Sequence, residues 1–206
     1  MNATPRRKND AYYTPDDLAA KLVYLLSARL LPGCRVLEPS AGGGAFVRAL
    51  LPYERVCSIH ALDVDPDAPA LSMPGTNKNY MTSCADFLNL PVRNFPHWVI
   101  GNPPFEDAEK HVRHAMRLAK NGVAFLLRLA FLESVKREAF WGEHPCSDIV
   151  VLTKRPCFTG NGKTDSCAYG FFIRNTKYPT PQGRTHLHIL SSTQRPLPVG
   201  ATWGTV

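Results

Sequence analysis

The chain has 206 residues, is 44% hydrophobic, and carries a formal net charge of +7 with an isoelectric point near 9.2. This length predicts one domain over 1–206, with a basic arm at 1–11 and a C-terminal extension at 176–206. The sequence contains no run of about 18 apolar residues, the length that a membrane helix needs. The polar start "MNATPRRKND" and six cysteines outside any CxxC pair favour a cytoplasmic protein with reduced thiols. The positive charge favours an anionic partner, most commonly nucleic acid.

The first half of the chain alternates helix and strand. The first predicted helix lies between a start signal at 14–16 and a stop at 32–33, and its leucines recur at helical spacing: Leu18, Leu22, Leu25, Leu26 and Leu30. "CRVLEPSAGGGAFVRALL" predicts a strand, a turn of small residues and a second helix. "VCSIHALDVDP" predicts a strand that ends in acids, and 66–80, rich in Pro, Asn and Gly, reads as a loop.

The second half continues the alternation. "MTSCADFL" and "HWVIGNPPF" predict strands, "EDAEKHVRHAMRLAK" a helix, "GVAFLLRLAFL" a buried strand, and "ESVKREAFWGE" a helix. "DIVVLTKRP" and "AYGFFIRN" predict two antiparallel neighbouring strands, and "THLHIL" can add an edge strand. The whole pattern predicts an α/β fold: a doubly wound, mostly parallel seven-stranded sheet with an antiparallel strand near the C-terminus.

One helix face carries several basic side chains. Lys110, Arg113, His114 and Arg117 share this face, which either tracks a phosphate backbone or is simply solvated. His111 and His114 lack a second pair of metal ligands, so a solvated face is favoured over a metal site and no metal is predicted.

Polar residues follow each of the first four predicted strands. Glu38 precedes the glycines of 42–44, Asp63 lies 21 positions beyond Gly42, and Asp86 and Asn102 follow the next two strands. In a doubly wound sheet these ends meet at one edge, where glycines admit a ligand and an acid suits a ribose diol. Taken singly, the glycine turn could be a tight connection, Asp63 a cap and Asp86 a turn former. Together they predict a nucleotide-type ligand.

Two common nucleotide motifs do not fit. The turn is not GxGxxG, since Ala45, Phe46 and Val47 follow Gly44, which disfavours a nicotinamide cofactor. "GNGKT" at 160–164 is no phosphate-binding loop, because Cys157 stands where that motif needs a glycine.

The ordered motifs "VLEPSAGGGAF", "ALDVDP", "ADF" and "IGNPPF" resemble those of class I S-adenosylmethionine-dependent methyltransferases. The Asn-Pro-Pro-Phe form resembles the amino-group type known from DNA N6-adenine methyltransferases. "AYYTPDDLAAKLV" resembles the segment that these enzymes place before the glycine loop, and "RPCFTGNGKTDSCAYGFFI" resembles a stretch of the phage-type adenine methyltransferases. The resemblance covers roughly 12–175 and implies a Rossmann-like fold, S-adenosylmethionine as cofactor and DNA, in preference to RNA, as partner.

The resemblance assigns catalysis to Asn102, Pro103, Pro104 and Phe105. The Asn102 side-chain oxygen and the Pro103 carbonyl would accept the two amino hydrogens of adenine, and Phe105 would stack the base. The diproline would hold the second acceptor in place without a competing N–H. The alternative is a strand end terminated by prolines, with Phe105 packed inward.

The resemblance also implies binding residues. The methionine part would lie near Glu38 and the glycine turn, the ribose on Asp63, and the adenine amino group on Asp86. The expected cofactor-binding residues are Tyr13, Thr14, Pro15, Glu38, Pro39, Ser40, Ala41, Gly42, Gly44, Asp63, Asp86, Phe87 and Asn102. The expected substrate-binding residues are Phe105, Arg128, Lys163, Thr164 and Asp165. Arg128 interrupts an apolar run, so it needs either a carboxylate partner or a position near the cleft.

Little chain remains for a separate target-recognition domain. We therefore expect one of three arrangements: low sequence specificity, recognition of the target sequence by loops at 66–80 and 155–168, or recognition by a partner. Three rival functions stay open: N6-adenine methylation of RNA, N5 methylation of protein glutamine, and cofactor or nucleic-acid binding without catalysis. Glutamine enzymes usually have tyrosine in place of Phe105 and a preceding helical domain. An intact Asn102, Asp63 and glycine turn disfavour a silent binder.

Overall fold

The strands of the described chain form one mixed sheet. The computed structural model describes residues 12–74, 79–92, 96–160, 162–176 and 184–192. The strands are β1 (Cys34–Glu38), β2 (Val56–Asp63), β3 (Asn79–Cys84), β4 (Trp98–Gly101), β5 (Gly122–Arg128), β6 (Asp148–Leu152), β7 (Tyr169–Asn175) and β8 (His186–Leu190). Their spatial order is β3-β2-β1-β4-β5-β7-β6-β8. The predicted basic arm, 1–11, and most of the C-terminal extension lie outside the described residues.

The strand directions confirm the predicted fold class. β7 runs antiparallel to both β5 and β6, whereas the other neighbours pair in parallel. The two strands expected to be antiparallel neighbours are therefore β6 and β7. β8 is the additional edge strand, and it extends the expected seven strands to eight in the described chain.

In the described residues, four α-helices cover the two faces of the sheet: α1 (Asp16–Leu26), α2 (Ala45–Leu50), α3 (Ala108–Leu118) and α4 (Glu138–Glu143). α1 and α2 bury Leu22, Leu26, Phe46 and Leu50 against one face. α3 and α4 bury an equivalent set against the other, including Val112, Leu118 and Phe140. Burying each side chain of this size contributes about 1.5–3 kcal/mol to the stability of the folded state. The apolar contacts on each face therefore hold the helices against the sheet. The carboxyl edge of β1, β2 and β4 lies at the reversal of strand order, where such sheets bind ligands.

Two predicted boundaries differ from the structure. The helix expected from Glu133 is α-helical only in α4, after a 3₁₀ turn over Val135–Arg137. Val135 is exposed, so this turn has no apolar side to bury, and Ser134 adopts a positive φ of 146° and caps it. The expected loop at 66–80 contains a 3₁₀ turn, Pro69–Ser72, and ends where β3 begins at Asn79; 75–78 lie outside the described residues.

The expectation of a solvated face for His111 and His114 is wrong. Both side chains are buried, and both rings pack on Phe87, with centroid distances of 5.4 and 4.8 Å. The two histidines therefore belong to the buried side of α3, together with Val112, Ala115 and Leu118, and they contact the segment that follows β3 through Phe87. Lys110, Arg113 and Arg117 remain on the exposed side of the helix.

None of the described helices is long and apolar enough to cross a membrane. Within the same residues, no group of three or more His, Cys, Asp or Glu side chains is placed to hold a metal ion.

Candidate active site

The carboxyl edge of the sheet brings the predicted polar residues together. β4 pairs with β1, so Asn102, which follows β4, lies beside the end of β1 at Glu38. A Cβ on Gly101 would lie 3.4 Å from the Glu38 side chain, which shows that the two strand ends are in direct contact. β2, which ends at Asp63, pairs with the other side of β1.

The glycine turn is fastened to the end of β2. The Gly42 amide donates to Asp63 Oδ2 at 2.7 Å, and the Ala41 amide donates to the Leu62 carbonyl at 2.7 Å. Gly42 and Gly44 have φ values of +49° and +79°, which residues other than glycine rarely adopt. Asp63 therefore organises the turn, and a carboxylate has further lone pairs for a ligand's hydroxyl groups.

The segment before α1 covers this turn. A Cβ on Gly42 would lie 2.9 Å from Tyr13 Cδ1, so the tyrosine ring occupies the space that the missing side chain leaves. Thr14 and Pro15 are half-buried, and Pro15 precedes the first residue of α1. Of the three residues predicted from this segment, Tyr13 contacts the turn directly, and Thr14 and Pro15 connect it to α1.

Glu38 is buried, and its Oε2 has no hydrogen-bond partner among the described residues. Burial raises the pKa of Glu38 well above its usual range, the Val47 amide opposes this rise, and the nearby Asp63 charge adds to it. Pro39 and Ala41 beside it are buried and Ser40 is half-buried. An acceptor in this position suits a cationic or amine donor from a ligand.

Asn102 has one satisfied and one free side-chain atom. Its Nδ2 donates to the Tyr12 carbonyl at 3.0 Å, whereas its Oδ1 is buried without a partner in the described chain. Only the amide nitrogen can donate to a carbonyl, so this bond fixes the oxygen as the free acceptor. Pro103 is buried and Pro104 half-buried.

Aromatic rings surround Phe105. Its ring centroid lies 5.5 Å from Tyr12, 5.3 Å from Tyr169 and 6.0 Å from Phe158. Phe105 itself is half-buried, so it packs partly inward, as the alternative interpretation of the motif expects. The sequence reasoning missed Tyr12, Phe158 and Tyr169 as neighbours. The available signal was that the motif-like segments 11–23 and 155–173 each carry aromatic residues.

Arg128 lies near the motif and not in a buried ion pair. Its guanidinium carbon is 4.8 Å from the centre of the Phe105 ring, and its Nε donates to the Tyr169 hydroxyl at 3.3 Å. Among the described residues, Arg128 therefore has no carboxylate ion pair and lies beside Phe105, and its contact with a substrate stays a prediction. Burial raises the pKa of Tyr169, so its hydroxyl is neutral.

Asp86 and Phe87 already have local roles. Asp86 accepts from the Leu88 amide and from Asn89 Nδ2, both at 2.9 Å, and so caps a 3₁₀ turn. Phe87 is fully buried against His111. The side chain of Phe87 therefore belongs to the core, and only the exposed carboxylate of Asp86 is open to a ligand.

The three other expected substrate residues lie in the loop before β7. Lys163 and Thr164 are exposed, and Asp165 is half-buried. The Asp165 amide donates to the Pro156 carbonyl at 2.9 Å, and its carboxylate accepts from the Cys167 amide. The charge of Asp165 also acts on Tyr169, which contacts the Phe105 ring, and on Arg128.

Comparison with known proteins identifies the fold. No family model and no curated protein matches the sequence. A Pyrococcus horikoshii structure described as an RNA methyltransferase aligns at a TM-score of 0.67 and 16% identity, over 82% of this chain and 88% of that one. A Listeria monocytogenes structure described as a class I S-adenosylmethionine-dependent methyltransferase aligns at 0.65 and 16%, over 89% and 67%. This is the class I methyltransferase fold.

A third solved structure with this fold comes from a larger protein. It is the type I restriction-modification methyltransferase subunit of Streptococcus thermophilus, at a TM-score of 0.62 and 15% identity, over 82% of this chain and 46% of that one. At such identities the class I methyltransferase fold is shared, and the chemistry has to be argued from the site.

Proposed function

We propose that this chain transfers a methyl group from S-adenosylmethionine to the N6 amino group of adenine in DNA. The observation that carries the proposal is the state of Asn102. Its amide nitrogen is held by the Tyr12 carbonyl, and its oxygen is left as a buried acceptor without a partner. A buried, unsatisfied acceptor costs about 1–3 kcal/mol, and a substrate N–H donor would remove that cost.

Two acceptors on a planar amino group explain why the motif has this composition. The lone pair of the adenine amino group is delocalised into the ring, which makes the nitrogen a poor nucleophile. Hydrogen bonds from its two protons to Asn102 Oδ1 and to the Pro103 carbonyl would favour a tetrahedral nitrogen with a localised lone pair. As the N–C bond forms, the bond between the methyl group and the cofactor sulfur would break, which would leave a neutral thioether. The surplus amino proton would leave to solvent, so catalysis rests on positioning and electrostatics.

The site fits the cofactor. The unpartnered Glu38 Oε2 would accept from the ammonium of the methionine part, Asp63 would accept from the ribose hydroxyls, and Asp86 from the adenine amino group. Tyr13, Thr14 and Pro15 would cover the methionine part at the glycine turn. When bound, S-adenosylmethionine supplies a methyl group activated by its positively charged sulfur.

Several features support a nucleic-acid substrate. Phe105 and its aromatic neighbours offer a surface on which a base extruded from the stack could bind, and Arg128 at that surface could contact a phosphate. Lys163, Thr164 and Asp165 would overhang the substrate from the loop before β7. The net charge of +7 favours a polyanion. The Streptococcus thermophilus neighbour is a restriction-modification subunit, which supports DNA.

RNA is the second candidate. One neighbour is described as an RNA methyltransferase, and a further one is the 23S rRNA methyltransferase ErmE, at a TM-score of 0.55 and 19% identity over 83% of this chain and 72% of that one. The same Asn102 chemistry serves adenine on either polymer, so the acceptor has to be identified by assay.

The decisive experiment is methyl transfer from labelled S-adenosylmethionine to double-stranded DNA, single-stranded DNA and RNA, each with and without adenine. We expect label on adenine-containing DNA, and a fall in kcat of about 100-fold or more for Asn102→Ala, comparable to the loss of one transition-state hydrogen bond. Asn121→Ala, a change of the same type immediately before β5, is the control and should keep wild-type activity. Full activity in Asn102→Ala, or transfer only to a protein, would refute the proposal.

A further inference from the structure

A basic groove runs along α3, from Lys110 in the first turn of the helix to Arg174 of β7, and its lining includes none of the residues assigned to the methyl-transfer site. It has a volume of about 610 Å³, and its polar lining consists of Thr176 and six basic side chains: Lys110, Arg113, His114, Arg117, His144 and Arg174. We call it the α3 groove. Arg174 lies on β7 opposite Val123, near the start of β5, so the groove extends toward the edge of the sheet opposite Asn102. Its lining contains no carboxylate among the described residues.

Two of its cations are neutralised by neighbours and two are not. Lys110 pairs with Asp107 at 2.7 Å and Arg113 with Glu109 at 3.0 Å. In contrast, Arg117 contacts His114 Nδ1 at 2.9 Å, and Arg174 Nη1 contacts the Met116 sulfur at 3.6 Å. Neither of these two guanidinium groups has a carboxylate partner in the part of the chain that the structure describes.

The two histidines of the groove, His114 and His144, have lowered pKa values, and the main cause is burial. The charges of Arg117 and Arg174, respectively, lower these pKa values further. Both imidazoles are therefore neutral at pH 7, and they add hydrogen-bonding atoms without adding repulsion.

Arg174 is the costly member of the groove. It is half-buried, and burial lowers its pKa. A partly desolvated cation without a counter-charge is unfavourable in the free protein, and an anion in the groove would remove that penalty. A guanidinium group can donate two parallel hydrogen bonds to two oxygens of one phosphate. The present partners of the two arginines, the Met116 thioether and the His114 imidazole, cannot accept such a pair of bonds.

From this geometry we infer that the α3 groove is a second ligand site, separate from the methyl-transfer site, that binds phosphate groups through Arg117 and Arg174. The phosphate can belong to the backbone of a polynucleotide or to a free phosphorylated compound. The polynucleotide case rests on the proposed function, because it would extend the DNA contact beyond Asn102, whereas the free-phosphate case does not.

Two probes without adenine or cofactor separate these sources: inorganic pyrophosphate and oligothymidylate. The test variant combines Arg117→Gln with Arg174→Met. The methionine replaces the half-buried Arg174 cation by an apolar side chain of the same type as the neighbouring Met116. The control is Lys136→Gln, which removes an exposed positive charge outside the groove. Circular dichroism of each variant checks that it folds.

We expect pyrophosphate to raise the thermal unfolding midpoint of wild type and Lys136→Gln, beyond the effect of sodium chloride at equal ionic strength, and to leave the double variant unchanged. If a polynucleotide is the source, the double variant binds oligothymidylate about tenfold more weakly, with a salt-dependence slope shallower by about 1–2. If a free phosphate compound is the source, only the pyrophosphate effect is lost.

Equal pyrophosphate stabilisation in wild type and double variant, with an unchanged oligothymidylate slope, would overturn the inference. So would the absence of any pyrophosphate effect and of any difference in oligothymidylate binding. Because neither probe contains adenine, these results do not depend on whether the Asn102 assay succeeds.

Discussion

Two buried acceptors without partners, Glu38 Oε2 and Asn102 Oδ1, lie at the ends of neighbouring strands. Each lowers the stability of the free protein by about 1–3 kcal/mol. Side chains that reduce stability in this way are typical of sites that acquire their partners from a ligand. At the residue scale, the proposed function therefore depends on these two oxygens more than on any charge pattern.

Glu38→Gln should stabilise the free protein and weaken cofactor binding. The raised pKa of Glu38 means that the folded state binds a proton which the unfolded chain releases near pH 4.5. Wild-type stability thus falls as pH rises from 4.5 through the folded pKa, and the glutamine variant lacks this fall. The unfolding midpoints of Glu38→Gln and wild type, measured from pH 4 to 8, give the test. We expect the midpoint of the variant to exceed that of wild type by a margin that grows as pH rises.

The same variant should bind S-adenosylmethionine at least tenfold more weakly, because the ligand ammonium loses a charged hydrogen bond of about 1.5–3 kcal/mol. Isothermal titration calorimetry measures this loss. Glu54→Gln, at an exposed position, is the control and should change neither property. A parallel pH dependence of wild type and Glu38→Gln would contradict the account of the buried carboxyl.

Phe105→Leu tests base stacking apart from packing. Leucine keeps an apolar side chain among Tyr12, Phe158 and Tyr169 but removes the aromatic face. We expect KM for the nucleic acid to rise by a factor that corresponds to the loss of about 1–3 kcal/mol of binding free energy, and cofactor affinity to stay unchanged. Steady-state kinetics measure the effect, and Phe105→Tyr, which keeps the ring, should stay near wild type. An unchanged KM in Phe105→Leu would argue that this ring only packs.

At the element scale, the pairing of β4 with β5 sets the position of the Asn102 motif. Gly122 pairs with Trp98, and a Cβ there would lie 2.5 Å from both the Arg174 carbonyl oxygen and the Trp98 ring. Neither a strand carbonyl nor a fully buried indole can move aside easily. β4 therefore depends on glycine at this position.

Gly122→Ala should destabilise the protein by about 2–3 kcal/mol, because overpacking separates β4 from β5. Gly142→Ala, inside α4, meets nothing within 4 Å and should stabilise by about 0.5–1 kcal/mol. Urea denaturation measures both changes. If the two variants had equal stability, the close contact at Gly122 would not be the reason for its glycine.

At the scale of the whole molecule, Asp148 ties distant parts of the chain together. Its buried carboxylate accepts from Arg29, just after α1, and from His188 of β8, both at 2.8 Å. These partners are 119 and 40 residues away in sequence. One side chain thus fastens both the first helix and the edge strand to β6.

Asp148→Asn should lower the free energy of unfolding by about 3 kcal/mol, because it leaves the Arg29 guanidinium without its buried counter-charge. Asp67→Asn, at an exposed position, provides the comparison and should change stability by less than about 0.5 kcal/mol. Urea denaturation of the two variants gives the difference. Equal stability of both would mean that β8 and α1 are held by packing alone.

Local patterns predicted most elements but not their surroundings. The leucine period of α1 and the apolar runs of β4 and β5 depend on neighbours in sequence, and these elements lie where the pattern placed them. His111 and His114 were misjudged because the partner that buries them, Phe87, is supplied by another segment. Asp86 likewise shows its capping role only once the following 3₁₀ turn is formed.

The sequence by itself determined the α/β class, the antiparallel pair near the C-terminus, and the order of polar residues at the strand ends, because these follow from periodicity and from the geometry of parallel sheets. Only the tertiary structure decided which acceptors stay free, which aromatic rings meet Phe105, and which cations lack a counter-charge. Those properties depend on contacts between residues far apart in sequence, such as the 90 positions between Asn102 and Tyr12, and no local pattern encodes them.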